Sequence, residues 1–289
     1  MNAQVRPALQ SDADAVAVFL NRYMNARIPV ERWHKLFHLP WAMPADAPDY
    51  GRVAVSRGEV VGFAGRIYSE RFIEGRPHLI ANLNSWYLRK DHRSGSLGLR
   101  LHKEMLDTRG QASFTVLSIA RRTYPIYDRW GFGMLDEHRW LWRRSASSMN
   151  SVEVLTDRKS IERELDAHQQ QMLHDHRQAD LWPALIRTDA GDCLAVITAK
   201  RKRDHVLFLD VLHLSRPGLF EEHATQIANL LLRDDNSVLA VDSRFLSADP
   251  PGGERVPIPV PRRYISDRLS PASLDIMYSE IVLLNHKLS

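Results

Sequence analysis

Asp91–Leu106 reads DHRSGSLGLRLHKEML. Ser94, Gly95, Ser96 and Gly98 sit in its first half, and Leu, Arg, His and Lys follow at helical spacing. The pattern predicts a loop feeding a helix that runs to about Arg109. The first turn of a helix has unpaired backbone N–H groups and carries the positive end of the helix dipole. Glycine lets an anion come close to such backbone. Arg89, Lys90, His92, Arg93, Arg100, His102 and Lys103 surround the loop. A compact polyphosphate is the guest that this combination suits. The Gly-Lys-Ser/Thr ending of a P-loop is missing, and the loop follows an antiparallel meander. The dinucleotide fingerprint would instead follow a first parallel strand.

The meander lies just upstream. From Gly51 the chain alternates and is rich in Val, Ile, Phe and Tyr, with turn signals at Arg57-Gly58 and Glu74-Gly75. Three antiparallel strands are expected at about 52–56, 60–70 and 78–88. Before them, VRP reads as a short strand and SDADAVAVFLNRYM as a helix. VERWHKLFHLPW reads as a second helix, stopped by Pro40. After the loop and its helix, ASFTVLSIA reads as a strand, TYPIYDRWGF as a short helix with a Gly stop and HRWLWRR as another strand.

Ser145–Val152, SASSMNSV, is a small-polar linker and the candidate boundary between domains at 1–145 and 152–289. The pattern then partly recurs. IERELDAHQQQMLHDHR reads as helical, CLAVITAKRKRDHVLFLDVLHL as a hairpin with a basic turn and FEEHATQIANLLLR as a helix. SVLAVDSRF and DIMYSEIVLL read as strands. Hairpin, helix and strand thus occur twice in that order, without a residue-level repeat.

Bulk properties narrow the function. The 289 residues are 44% hydrophobic and 26% charged, enough apolar material for a core that needs no disulfides. The one cysteine, Cys193, falls in a strand-like run and reads as a buried structural thiol, which suits a reducing, cytoplasmic setting. The N-terminal residues do not have the pattern of a signal peptide, and no apolar run approaches the roughly 18 residues of a membrane span. A net charge of +4 and a pI of about 9.3 admit nucleic acid, a membrane surface or a small polyphosphate. No zinc finger, RNP motif or basic heptad region appears, so nucleic acid is not expected. KRKRD, Lys200–Asp204, reads as a solvated hairpin turn. His174 and His176 lie on a polar helix end without further ligands at helical spacing, and no metal site is expected.

These residues resemble the GNAT superfamily of N-acetyltransferases. Its acyl-CoA pyrophosphate loop is a strand end followed by V-x-P-x-x-Q/R-x-x-G-x-G/A opening a helix. In LRKDHRSGSLG, Leu88 takes the Val position, Arg93 the Q/R position and Gly98 the final Gly, while Lys90 replaces the Pro and Ser96 the first Gly. TYPIYDRWGF is similar to the family's A-x-x-x-Y-x-x-x-G-F helix, with Tyr127 at the tyrosine and Gly131-Phe132 at the stop. The resemblance covers about residues 4–143, and the C-terminal half looks like a degenerate second copy with Glu221 and Glu222 near its helix start.

The resemblance implies an α/β (α+β) fold with a mixed, mostly antiparallel twisted sheet flanked by helices, in tandem. It also implies acetyl-CoA or another acyl-CoA as co-substrate, with the pyrophosphate on Leu88, Arg93, Ser94, Gly95, Ser96, Leu97, Gly98 and Leu99. A small primary amine, an amino sugar or an amino-acid derivative, would attack the thioester directly. Tyr127 would protonate the leaving thiolate. The fourth strand, HLIANLNSWYL, has no carboxylate to serve as base. Asn82, Asn84 and Ser85 are polar there, with Asn84 a candidate for orienting water or the acceptor and Asn82 for contacting the acceptor. Glu70 and Glu74 are weaker bases. Trp33, Phe37, Trp41 and Tyr68 are available for an acceptor pocket with an apolar or ring-binding face. A non-catalytic acyl-CoA-binding protein and a long-chain N-acyl amino acid synthase are the alternatives, and a homodimer is left open.

Overall fold

The computed structural model describes residues 3–45, 47, 49–106, 111–118, 120–145, 151–202 and 205–288. The residues after Leu106 in the expected helix, the linker 146–150 and the tip of the KRKRD turn lie outside the described residues. The chain forms two compact units, and neither is continuous in sequence. One holds residues up to Gly133 together with Arg263–Leu269 and Tyr278–His286. The other holds Met134–Arg262, Ser270–Met277 and the last residues. The divide therefore falls at Gly133/Met134, ahead of the strand HRWLWRR, rather than at the small-polar linker.

In the first unit, β1 (Gln4–Pro7) is followed by α1 (Ala13–Phe19) and a short α2 (Val30–Trp33). The meander is β2 (Gly51–Ser56), β3 (Glu59–Ile73) and β4 (Arg76–Leu88). Both of its turns put two consecutive residues at positive φ, Arg57-Gly58 and Glu74-Gly75. That is the type I′ geometry, whose twist matches the strands it joins. Then come α3 (Leu97–Lys103), β5 (Ala112–Val116) and α4 (Tyr124–Arg129). β1 to β4 pair antiparallel in sequence order, and β5 joins β4 in parallel.

Two irregularities in β4 set the local geometry at its C-terminal end. Phe63 pairs with Tyr87 and Gly65 with Asn84, so Ser85 and Trp86 together face Ala64. This is a bulge, with Ser85 in the left-handed region at φ 51°. In addition, the pairing of β4 with β5 runs from Leu79↔Ala112 to Asn82↔Thr115 and ends there, although β4 continues to Leu88. The two parallel strands part at Asn82.

The second unit contains β6 (Gly133–Trp142, from Met134), β7 (Glu153–Leu155), α5 (Arg158–Glu164), α6 (Ala167–Asp175), β8 (Trp182–Thr188), β9 (Gly191–Lys202) and β10 (Val206–Leu214). It continues with α7 (Pro217–Glu222), α8 (Ala224–Leu231), β11 (Ser237–Asp242) and β12 (Glu254–Ile265, as far as Arg262). The strand order is β12-β6-β11-β10-β9-β8-β7. β8, β9 and β10 form an antiparallel meander, and β11 joins β10 in parallel. Phe220 of α7 and Ile227 of α8 fill a core with Trp142, Ile186, Ile197, Val211 and Leu239. A buried ion network sits on this sheet. Asp242 takes Arg262, Arg244 (3.1 Å) and Arg139 (3.3 Å), and Asp210 takes Arg139 (2.9 Å) and Lys202 (2.6 Å).

Two sequence expectations change, and one strand falls where the sequence carried no reading. The long helix from Ile161 is two helices, because Asp166 starts the second with a reciprocal capping box to Gln169. DIMYSEIVLL is not a strand. It ends in a helical turn, α9 (Glu280–Leu283), in the first unit. β12 was not expected, since Pro257, Pro259 and Pro261 argue against a strand. Its last residues, Arg263–Ile265, belong to the first unit and pair antiparallel with β5. Among the described residues no helix is long and apolar enough to cross a membrane.

Candidate functional site

The glycine-serine loop begins where β4 leaves the sheet. Arg89 N–H donates to Val61 O (2.8 Å), holding the strand end. Arg93 then folds back. Its Nε–H donates to Leu88 O (2.8 Å), and its guanidinium lies 5.0 Å from the centre of the Tyr87 ring. This brace closes the loop on itself, and Gly95 completes it at φ 92°, a conformation that favours glycine. The bulge contributes a second tie: Trp86 Nε1–H donates to Gly98 O (3.1 Å) and fixes the first turn of α3. A methyl at Gly98 would meet only Leu88, at 3.5 Å.

A cleft of about 410 Å³ opens here. Leu88, Arg93, Gly95, Gly98 and Leu99 line one side, and Arg122, Thr123 and Ile126 line the other. Five of the eight residues expected to hold a pyrophosphate thus meet the residues leading into the Tyr127 helix. Ser94, Ser96 and Leu97 line a second, more polar cleft of about 680 Å³ with Arg57, Arg89 and Arg100. A depression of about 950 Å³ over α5 and α6 is larger. It brings together Lys159, Arg163 and Arg177 but no glycine loop, so volume does not choose the site.

Tyr127 is 3% exposed. His102 meets it edge-on at 5.2 Å and Phe132 at 5.1 Å. Burial, reinforced by the nearby Glu280 carboxyl, pushes its phenol above the ordinary value, so the hydroxyl keeps its proton at neutral pH. His102 stacks on Trp86 (4.4 Å) and on Trp130 (5.2 Å), whose own rings lie 6.2 Å apart, and both of its ring nitrogens lack partners among the described residues. Burial pulls its pKa down to about 3, so the stack is neutral.

Asn82, Ser118 and Glu280 meet where β4 and β5 part. Asn82 is the last β4 residue paired with β5, and its Nδ2 donates to Thr115 Oγ1 (3.3 Å). Its Oδ1 accepts the backbone N–H of Glu280 (3.1 Å). Ser118, just beyond β5, donates from Oγ to Glu280 Oε1 (2.5 Å). Glu280 Oε2 is buried and has no partner. Burial raises this carboxyl to about 7, against the opposing pull of the Ser118 and Asn82 hydrogen bonds. Asn84 donates to Asn82 O (3.3 Å), while its buried Oδ1 is unpartnered and fills the space that Gly65 leaves free.

The expected aromatic wall separates into two groups. Trp33, Phe37 and Tyr68 are interior residues with almost no exposed surface, and none of them lines the two clefts beside the loop. Phe37 packs on Tyr50 and Phe63. Trp41 donates from Nε1 to Tyr68 O (2.9 Å) and meets Tyr278 edge-on at 4.8 Å, two residues from Glu280. Glu70 and Glu74 are exposed on the β3–β4 hairpin. Glu280 was missed as a site residue. The one signal was a lone acidic residue in the apolar run SEIVLL.

No family model matches the sequence, and neither does any curated protein. Solved structures do match. A GCN5-related N-acetyltransferase from Anabaena variabilis superposes with a TM-score of 0.57 at 14% identity, over 91% of this chain and 72% of that one. A GCN5-related N-acetyltransferase from Kribbella flavida gives 0.56 at 14% identity, over 91% and 71%. A probable N-acyltransferase from Enterococcus faecalis gives 0.55 at 9% identity, over 91% and 72%. The chain therefore has a GNAT-like fold: a mixed, mostly antiparallel sheet flanked by helices.

Proposed function

We propose that the protein is an acyl-CoA-dependent N-acyltransferase whose reaction takes place in the first unit. The observation that carries this reading is the cleft in which Arg93, Gly95 and Gly98 face the start of the Tyr127 helix, next to the parting of β4 and β5. Exposed loop backbone and Arg93 suit a pyrophosphate, and the absence of a side chain on Gly95 and Gly98 lets it approach. The thioester would reach into the gap between the two parallel strands. The amine attacks there directly, so no acyl-enzyme is required, and Cys193 agrees by being buried with its thiol pKa raised, chiefly by desolvation. Tyr127, protonated at neutral pH, supplies the proton for the departing sulfur. The acceptor is a small amine.

On this reading the second unit is a degenerate copy of the first. Its antiparallel meander followed by a parallel strand supports that, as does the missing glycine loop. Glu221 of α7 is engaged by Ser247, whose N–H donates to it at 2.7 Å.

Calorimetric titration with acyl-CoAs of different chain length, followed by CoA release with a panel of amines, tests the function. Binding in the wild type and its loss in Arg93→Glu is the expected result, since the change removes the brace to Leu88 and adds a like charge beside the phosphates. Unchanged binding in the variant removes Arg93 from the site. No CoA release with any amine overturns the enzyme reading.

A further inference from the structure

Among the described residues, three carboxylates of the first unit are buried: Asp12, Asp49 and Glu280. Asp12 is paired with Arg6, and Asp49 with Arg52 and Arg66. Glu280 is 1% exposed, and no described cation is paired with it. Its neighbours are neutral: the Ser118 hydroxyl on one carboxylate oxygen, the Asn82 amide on its backbone N–H and the Tyr127 phenol close enough to interact electrostatically. The short turn His34–Leu36 packs on α9 and carries His34 and Lys35. Arg32 acts on His286, which also lies in the α9 segment. An unpaired buried carboxyl is costly to the fold, and such groups cluster at functional sites.

Its position gives it a use. Glu280 spans the fork between the parallel strands, tied to β4 at Asn82, the last residue paired with β5, and to Ser118 two residues beyond the end of β5. We infer that Glu280, brought in by the C-terminal segment, is the general base that takes the proton from the acceptor amine, a role for which β4 offers no carboxylate. This rests on the acyltransferase reading.

The proton traffic balances. The acceptor arrives as an ammonium and gives one proton to Glu280 Oε2, the oxygen with no partner. The neutral nitrogen attacks the thioester carbon, so a C–N bond forms and the C–S bond breaks. Tyr127 gives its hydroxyl proton to the sulfur and recovers one from the nitrogen. Glu280 later releases its proton to solvent. The products are an amide, a free thiol and one proton. Ser118, donating to Oε1, keeps that oxygen occupied and leaves Oε2 to react.

The test compares the wild type with Glu280→Gln and Glu280→Asp. Gln keeps the Ser118 and Asn82 hydrogen bonds, so the fold and acyl-CoA binding are expected to survive, as read by thermal melting and calorimetry. CoA release is expected to fall by about 10²–10⁴-fold, the usual worth of a positioned base. Wild-type kcat/KM should rise with pH through about 7, and that limb should vanish in Glu280→Gln and return, weakened, in Glu280→Asp. An amine of low basicity, already neutral at assay pH, should restore much of the rate of Glu280→Gln. A Glu280→Gln variant with the wild-type rate and pH limb overturns the assignment and leaves the enzyme reading intact. Acyl-CoA binding without CoA release in the wild type overturns both.

Discussion

Glu280 carries its own thermodynamic signature. An isolated glutamate ionises near 4.5, and burial moves this one to about 7. Below about pH 4.5 the folded and unfolded chains both hold the proton. Between the two values only the folded chain holds it, so the contribution of this group to stability drops as pH rises and levels off above 7. The drop is about 3 kcal/mol at most. Denaturant unfolding of the wild type and Glu280→Gln at pH 4.5 and pH 8 isolates it, because every other titration cancels in the difference. The variant is expected to gain about 3 kcal/mol on the wild type between those pH values. Parallel stability curves would mean that Glu280 ionises in the fold as readily as in the unfolded chain.

At the scale of the element, amide directions alternate along a strand, so Pro257, Pro259 and Pro261 delete N–H groups from one edge of β12 alone. The ladder with β5 begins at Arg263, past the last of them. Replacing all three with valine restores donors to that edge, and concentration-dependent self-association in sedimentation velocity is the expected outcome. Sedimentation unchanged from the wild type would show that the prolines serve another purpose. The same residues explain why β12 was illegible in the sequence, as a proline at every second position reads as loop. β2 to β4 were legible because their period and both Xaa-Gly turns are local signals, and so was the loop from Arg93 to Gly98. The apolar run around Ile281 suits a buried helix or a strand equally, and it was misread. Glu280 lies 198 positions from Asn82 and 162 from Ser118, so no local pattern could join them.

For the molecule as a whole, the first unit takes residues from far beyond the boundary at 145–152. A fragment of residues 1–145 lacks Arg263–Leu269 and Tyr278–His286. It would leave one edge of β5 bare and lose Ile281, Val282, Leu283 and Leu284, all buried. Such a fragment is expected to show no cooperative thermal transition by circular dichroism and no acyl-CoA binding. A sharp melt would mean that the returning segments are dispensable. The same arrangement bears on synthesis. The ribosome finishes Gly133 and must add roughly 150 more residues, about 10–30 s at common elongation rates, before His286 emerges. Throughout that interval the nascent first unit offers an unpaired strand edge beside an open apolar floor. Ribosome-bound chains stalled before His286 are therefore expected to recruit more chaperone than chains stalled beyond it.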